Sequence, residues 1–289
     1  MKNTMLCIGF IILCAFFCTA EQFVVIDISG GKDANSYPVE KLDEMPSGGW
    51  TDEYKTDKIV LSKVNDFYIG VFEITQRQWE LVTGKRPSYY KNDNCYAKRP
   101  VENVSYDDIR GKEKGSEYPK TSEVDGGSFI GNLRAKSGLD KLDLPTREQW
   151  EVACRDPNGG NAANDPNVIA KCARFGVNPG YYFEPPAASP NCGVDNGTAE
   201  VGSYAPNARG LYDMHGNVCE WCVDVCDVTD EHVIMLGCTW NEFRPFGEYR
   251  VLKGGHCESS APYCVSTIIY GGVASFGGSV KGLRIVLNK

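Results

Sequence analysis

Two acidic side chains flank a glycine–asparagine pair in the stretch Gly210-Leu-Tyr-Asp-Met-His-Gly-Asn-Val-Cys-Glu-Trp221. Gly216 and Asn217 tolerate left-handed backbone conformations, so the sequence predicts a tight turn at this pair. Asp213 and Glu220 would lie on either side of the turn. Carboxylates and freed carbonyl oxygens are the ligands that a hard cation such as calcium prefers. The alternative, which residue type alone favours, is a buried turn with two solvated acids.

Thirteen cysteines are a second source of chemistry. Cys219, Cys222 and Cys226 have a spacing found in metal sites, but no second pair with matching spacing follows them. Cysteine also packs as a small apolar residue, so the alternative is that these three belong to the core. Spacing does not assign disulfide partners to the others.

Three helices are predicted from their first residues. Thr75, Ser105 and Thr146 are good N-caps, and Gln78 and Gln149 stand in capping-box positions after two of them. The first predicted helix runs from Gln76 to about Val82, the second follows Ser105, and the third runs from Arg147 to Cys154.

Strands and loops follow from alternation and composition. Gln22 to Ile28 predicts a strand, and Lys58 to Val71 predicts a hairpin or a pair of strands. The stretch from Gly111 to Asp140 is polar, and its glycine run is not a phosphate loop because no Lys-Ser/Thr follows. Asp156 to Pro206 is rich in Gly, Pro, Asn and Ala, which predicts irregular backbone.

The stretch from 210 to 221 resembles the GLYDMxGNVxEW motif of the formylglycine-generating-enzyme type of C-type lectin fold. Five other segments resemble motifs of that family in the same order, namely Phe72–Trp79, Arg99–Tyr106, Leu144–Arg155, Val251–Gly255 and Gly282–Ile285. The resemblance runs from about Phe67 to Val286. It implies one α+β domain of this fold over residues 19–289, with much irregular but ordered loop. It does not imply an activity, because the fold serves both catalysis and binding.

No cofactor is required for the expected function, but the resemblance implies a site for a structural calcium ion. The family's second calcium site matches Asp213, Gly216, Val218 and Glu220, with Asp213 in place of a frequent asparagine. Its first site is not matched, and the nearest candidates for it are Asp195 and Asn196.

The family's enzymes oxidise a cysteine of a substrate protein with two copper-binding cysteines, which four residues separate, shortly after a Gly-Gly pair. Here Gly254-Gly255 is followed by Cys257 and Cys264, which six residues separate. If Cys264 matches the second catalytic cysteine, the first falls at Ser259. Serine does not replace a thiolate on copper, because a soft metal needs soft ligands. We therefore expect no oxidase activity.

Two further reaction classes are also disfavoured. The family's iron sulfoxide synthases need a histidine cluster, and the three histidines present, His215, His232 and His256, lack its spacing. No nucleophile elbow of a serine hydrolase is present either.

The segment from Gly254 to Gly282 keeps the family's glycines but not its usual residues between them. Diversity-generating retroelements mutate adenines in AAC or AAT codons, which yields codons ending in a pyrimidine. Such codons encode no Met, Trp, Gln, Lys or Glu, and only Glu258 and Lys281 in this segment belong to that group. The pattern favours a segment that a retroelement diversifies.

A diversified segment needs side chains that vary while the backbone holds. The candidate ligand-binding residues are His256, Cys257, Ser259, Tyr263, Val265, Thr267, Ile269, Tyr270, Val273 and Phe276. They would form a mixed apolar and aromatic surface patch for a protein or a small-molecule ligand. The alternative is that they are ordinary core residues of strands.

Residues 1–18 have the short positive start and apolar core of a signal peptide. Cys18 is the expected lipidation site, and a lipid there would anchor the protein to the outer membrane. The alternative is ordinary cleavage near Ala20-Glu21. A net charge of −8 and a pI of about 5.1 argue against nucleic acid as a partner.

The function expected from these features is binding of an extracellular ligand by a surface lipoprotein without catalysis. The alternatives are a divergent copper oxidase acting on protein cysteine and a structural envelope lipoprotein.

Overall fold

The structure is a computed structural model that describes residues 21–91, 94–158, 165, 169, 197–236 and 248–289. In these ranges the helices are α1 Glu53–Thr56, α2 Gln76–Thr83, α3 Tyr106–Arg110, α4 Phe129–Ser137 and α5 Arg147–Cys154. The strands are β1 Phe23–Asp27, β2 Val39–Leu42, β3 Lys58–Val64, β4 Phe67–Gly70, β5 Leu142–Asp143, β6 Cys219–Val225, β7 Val233–Met235, β8 Tyr249–Lys253, β9 Ile269–Val273, β10 Lys281–Gly282 and β11 Val286–Leu287. The mixture of helices and sheets confirms the α+β prediction.

The three predicted helix starts are confirmed. Thr75, Ser105 and Thr146 each accept a hydrogen bond from the backbone N–H three residues on, which begins α2, α3 and α5. Each cap is a complete capping box, because the side chain of the third residue also accepts from the backbone N–H of the cap. Gly84 ends α2 with φ of 73°, in the left-handed region that glycine adopts without strain.

The polar stretch between α3 and α5 contains a helix that composition did not predict. Ser128 caps α4 by accepting from the N–H of Gly131. Phe129 is fully buried and stacks on Trp79 of α2, with ring centroids 4.7 Å apart and an interplanar angle of 4°. Ile130 and Leu133 are fully buried as well, so tertiary packing of an apolar face holds this helix within a polar stretch of sequence.

Two sheets carry the strands. The first has the order β2-β1-β3-β4-β11-β5, and all its pairings are antiparallel. The second has the order β10-β6-β8-β9-β7, in which β10 pairs in parallel with β6, and β7 pairs in parallel with β9. The second sheet carries the 254–282 segment, because β8 leads into the segment and β9 and β10 lie within it.

Two tryptophans fill the core next to the second sheet, and neither is exposed to solvent. Trp221 of β6 donates from Nε1 to the carbonyl of Val104 at 3.0 Å. Trp150 of α5 donates from Nε1 to Glu220 at 2.7 Å. Both indole N–H groups thus have partners, as burial of this side chain requires.

The predicted turn is present between these tryptophans. Gly216 has φ of 80° and Asn217 has φ of 58°, both in the left-handed region. The backbone N–H of Gly216 donates to the carbonyl of Gly254 at 2.7 Å. The turn therefore lies directly against the start of the 254–282 segment.

Candidate ligand-binding site

A cleft of about 410 Å³ opens between the end of β7 and the segment that follows β8. This volume is in the range of small-molecule sites. The residues that line the cleft are Ile234, Leu236, His256, Glu258, Ser259, Ser260, Tyr263 and Tyr270.

Four of the candidate ligand-binding residues reach this cleft. They are His256, Ser259, Tyr263 and Tyr270. Tyr263 is 48% exposed, so about half of this residue faces solvent. Tyr270 is only 2% exposed, and its Oη donates to the carbonyl of Tyr263 at 2.9 Å.

The prediction that all ten candidates form one surface patch is wrong. Four of the ten, Cys257, Ser259, Tyr270 and Val273, are buried. Val265 and Ile269 are half-buried and pack on apolar clusters. Thr267 and Phe276 are exposed but lie outside the cleft.

Sequence reasoning missed four lining residues. Glu258 and Ser260 lie within the 254–282 segment, but neither is among the ten candidate ligand-binding residues. Ile234 and Leu236 come from another part of the chain, and the parallel pairing of β7 with β9 brings them to the cleft. No local pattern marks such a long-range pairing.

Polar groups outside the 254–282 segment form hydrogen bonds with its backbone. Nζ of Lys253, a fully buried side chain of β8, donates to the carbonyls of Ser266 and Ile268, each at 2.7 Å. It also forms an ion pair with Glu151 of α5 at 3.0 Å. The two hydrogen bonds to Ser266 and Ile268 are made to main-chain oxygens, so they do not depend on which side chains the segment carries.

The turn supplies two more bonds of this kind. Nδ1 of His215 lies 2.7 Å from the carbonyl of Cys264 and therefore acts as its donor. The backbone N–H of Cys257 donates to the carbonyl of Asn217 at 2.9 Å. We call Lys253, His215 and Asn217 the backbone anchors of the segment.

Replacing Lys253 by methionine is expected to lower the free energy of unfolding by about 2–3 kcal/mol, because two buried carbonyls lose their donor. Thermal denaturation measures this loss. The control is Lys114→Met, which removes an exposed lysine paired with an exposed Glu123 and should change stability by no more than about 0.5 kcal/mol. Equal midpoints for the two variants would show that Lys253 does not anchor the segment.

Hydrogen bonds also order the rim of the cleft. Oγ of Ser259 accepts from the backbone N–H of His256 at 3.2 Å, and Nδ1 of His256 accepts from the N–H of Glu258 at 3.3 Å. Burial lowers the pKa of His256 below its ordinary value, so its ring is neutral at pH 7. Tyr90 donates from its Oη to the carboxylate of Glu258 at 2.9 Å.

The residues of the expected calcium site form a buried ion pair instead. Both carboxylate oxygens of Glu220 accept from Arg284, at 2.9–3.2 Å, and one also accepts from Trp150. Neither oxygen is left to a cation. In the described ranges, moreover, no group of three His, Cys, Asp or Glu side chains is arranged to hold a metal ion. The set Asp213, Gly216, Val218 and Glu220 therefore does not fit calcium in this structure.

The carboxylates of Glu73, Asp213 and Glu220 all interact electrostatically with the guanidinium of Arg284. Glu73 accepts from Nδ2 of Asn217 at 2.6 Å and from the N–H of Val218 at 3.2 Å. Burial and the neighbouring carboxylates raise the pKa of Glu73 well above its ordinary value. We call Glu73, Asp213 and Glu220 the carboxylate cluster.

Asp213 is the member of the cluster that lacks full pairing. Its Oδ2 accepts from the N–H of Gly202 at 2.7 Å, but among the described residues its Oδ1 has no donor. Burial raises its pKa to about 6. Because the folded state holds this proton more tightly than the unfolded chain, stability should fall as pH rises from about 4 through 6.

Replacing Asp213 by asparagine is expected to raise the free energy of unfolding at pH 8 by about 1–3 kcal/mol, because it removes a buried charge. Asparagine tolerates the left-handed φ of 57° found here and keeps an acceptor for Gly202. Urea denaturation at pH 5 and pH 8 measures the gain, which should shrink at the lower pH. A variant less stable than the wild type at pH 8 would mean that the carboxylate binds a cation.

The cysteines behave as core residues where the structure describes them. Cys219, Cys222 and Cys226 are buried and carry free thiols, as their core interpretation predicts. Burial raises the pKa of Cys226 to about 11 and that of Cys264 to about 12. Protonated, buried thiols do not resemble the accessible thiolates that a copper site requires.

The residues at the copper-binding positions do not fit the metal. Ser259 stands where the first thiolate is needed, and its Oγ is already bonded to the backbone of His256. Cys264 is fully buried beneath Ala261 and Ile169.

Several sequence-based predictions fall outside the described residues. They are the signal peptide and lipidation at Cys18, and the candidates Asp195 and Asn196 for a first calcium site. Among the residues that the structure does describe, no helix has the length and apolar character needed to cross a bilayer.

The sequence matches a known protein family over most of its length. The sequence profile described as "Sulfatase-modifying factor enzyme 1-like domain" matches residues 47–289. The "Chaperone protein LppX" of Paenibacillus barcinonensis is 31% identical over 272 residues, which cover 82% of this chain and 86% of that protein.

Two solved structures are similar in fold. PvdO from Pseudomonas aeruginosa superposes with a TM-score of 0.52 at 19% identity, over 94% of this chain and 96% of that chain. Treponema denticola variable protein 1 superposes with a TM-score of 0.49 at 23% identity, over 93% of this chain and 91% of that chain. The six ordered motifs, the match over residues 47–289 and the LppX relative agree. The chain belongs to the sulfatase-modifying factor enzyme 1-like family and has the C-type lectin fold of the formylglycine-generating-enzyme type.

Proposed function

We propose that this protein binds an extracellular ligand in the cleft of the 254–282 segment and that it catalyses no reaction there. The observation that carries the proposal is the division of labour at the cleft. Side chains of the segment line the cleft, while the backbone anchors bind its main-chain oxygen and nitrogen atoms. Side chains can then be exchanged without loss of the anchoring bonds.

This arrangement supports diversification of the segment by a retroelement. The anchors Lys253, His215 and Asn217 all precede Gly254, so mutation of the segment leaves them unchanged. A reverse transcriptase gene beside a near-copy of the segment is the genomic arrangement expected. Sister sequences that differ evenly along the chain, rather than almost only after Gly255, would contradict it.

A polypeptide is the ligand class that we favour. The relative that aligns over most of this chain is named as a chaperone protein, which is consistent with a protein ligand. The cleft is too small to hold a folded domain, but it holds one or two side chains of a peptide.

Selection from a random peptide library displayed on phage tests the proposal. Peptides that the wild-type protein enriches should lose binding to Ser260→Trp, because the indole fills the cleft. The matched control is Thr267→Trp, which adds the same bulk to an exposed position outside the cleft and should leave binding intact. Equal binding to both variants would show that the cleft is not the site.

The absence of oxidase activity is tested with the same protein. Incubation with copper and a cysteine-containing peptide should produce no formylglycine by mass spectrometry. Formation of formylglycine that Cys264→Ala abolishes would overturn the non-catalytic proposal.

Display at the outer membrane through a lipid on Cys18 is part of the proposal. The apolar core that ends at Phe17 supports it. Mass spectrometry of the native protein is expected to find Cys18 as a lipid-modified N-terminus. An unmodified N-terminus at Glu21 would contradict the lipid anchor.

A further inference from the structure

The cleft has an asymmetric chemistry. Ile234 and Leu236 form an apolar wall, and the half-exposed ring of Tyr263 stands in the lining with them. At pH 7 the ring of His256 is neutral. Of the residues that line the cleft in the described part of the chain, Glu258 is therefore the one that carries a formal charge.

Glu258 is held in place but is not neutralised. Its carboxylate accepts from Tyr90 Oη at 2.9 Å, and its backbone N–H donates to His256 at 3.3 Å. The ring of Tyr90 is in turn fixed by the guanidinium of Arg99, 5.4 Å from the ring centroid. Within the described ranges, no lysine or arginine lies at ion-pair distance from Glu258.

We infer that the cleft binds a basic side chain, arginine or lysine, of a polypeptide ligand. This inference rests on the proposed function and names the chemistry of the ligand. The methylene stem would pack on Ile234 and Leu236, and the cation would bind the carboxylate of Glu258 beside the ring of Tyr263. Long basic side chains combine these two needs, because their stems are apolar and their ends are charged.

The physical basis is charge complementarity. A hydrogen bond between a cationic donor and a carboxylate is about twice as strong as one between neutral groups. A cation also gains from an adjacent aromatic face. The net charge of −8 further favours approach of a basic partner over an acidic one.

Titration of the full-length protein with blocked tripeptides, followed by NMR, tests the inference. The probes are glycyl-arginyl-glycine amide and its citrulline analogue, which has nearly the same shape and no charge; both are acetylated, so neither carries a terminal amine. A lysine analogue compares the two cations. The arginine probe should bind at least about tenfold more tightly than the citrulline probe.

Two matched variants locate the effect. Glu258→Gln should weaken binding of the arginine probe by about tenfold and leave binding of the citrulline probe unchanged. Glu44→Gln removes the same charge from an exposed position outside the cleft and should change neither. Tyr90→Phe, which releases the carboxylate, should weaken the arginine probe alone, and this selectivity separates positioning from a general loss of structure.

The outcomes distinguish this inference from the proposed function. Equal binding of arginine and citrulline probes, lost in Ser260→Trp, would overturn the inference and leave the cleft as a binding site. No binding of either probe would also overturn the inference, while the peptide-library selection would still decide the function. Equal weakening by Glu258→Gln and Glu44→Gln would show that overall charge, not this carboxylate, attracts the probe.

Discussion

Replacing Trp221 by alanine is expected to lower the free energy of unfolding by about 3–5 kcal/mol, a large share of the stability of a typical domain. The side chain is fully buried, and its Nε1 donates to the carbonyl of Val104. It packs edge-on against Tyr106, with centroids 6.3 Å apart. Gly272 of β9 lies so close that a Cβ added there would come within 2.7 Å of the indole. Alanine would leave a cavity at the centre of the second sheet.

Phe276→Ser is the matched comparison for Trp221→Ala. Phe276 lies in the 254–282 segment but is 62% exposed, so its replacement should cost no more than about 0.5 kcal/mol. Val265→Ser and Ile269→Ser should fall between the two, because these side chains are half-buried. Thermal denaturation of all four variants in one buffer makes the comparison. If Phe276→Ser lowers the midpoint as much as Trp221→Ala does, the exposed side chains of the segment are not free to vary.

Replacing Arg284 by methionine is expected to cost about 3–5 kcal/mol, because it leaves three buried carboxylates without their cation. Arg284 is fully buried, binds Glu220 at 2.9 Å and donates to the carbonyls of Gly70 and Tyr212, each at 2.7 Å. The loss should grow with pH, since the remaining carboxylates ionise more fully. Urea denaturation at pH 5 and pH 8 measures both effects.

Two further variants control for the size of the side chain and the change of charge. Arg147→Met removes a half-exposed arginine of α5 and should cost no more than about 0.5 kcal/mol. The double variant Glu220→Gln/Arg284→Met should lose less than the sum of the single changes, because it removes both members of the pair. Additive losses would mean that Arg284 stabilises the protein by packing rather than by charge.

The starts of α2, α3 and α5 could be predicted from the sequence because a capping box is a local structure. The cap and the residue three positions on bond to each other, whatever the rest of the chain does. The turn at Gly216 and Asn217 was predictable for the same reason, since residue type alone permits its φ angles.

The carboxylate cluster was only half predictable. The sequence shows that Asp213 and Glu220 are acids beside a turn, but it does not show which donors reach them. The donors to Glu220 come from Trp150, 70 residues earlier, and from Arg284, 64 residues later. Residue types alone therefore predict calcium at this position. In the structure, a guanidinium and an indole N–H donate to Glu220 instead.

The cleft and helix α4 could not be predicted, because both depend on long-range contacts. Ile234 and Leu236 reach the cleft through the pairing of β7 with β9. Phe129 holds α4 by stacking on Trp79, 50 positions earlier in the sequence. The division of the ten candidate residues into buried and exposed members follows from the anchoring of the backbone, which periodicity does not reveal.

The backbone anchors and the core hold a segment whose exposed cleft-lining side chains are interchangeable. The most direct measurement randomises Ser260 and Tyr263 together and determines, for each clone, a melting curve and the peptides that it selects from a displayed library. A matched library randomises the buried Cys257, Tyr270 and Val273.

Most clones of the first library are expected to keep a cooperative unfolding transition near the wild-type midpoint, and different clones are expected to select different peptides. Most clones of the second library should unfold. If most clones of the first library unfold, or if they all select the same peptides as the wild type, the cleft is not a binding site with exchangeable side chains.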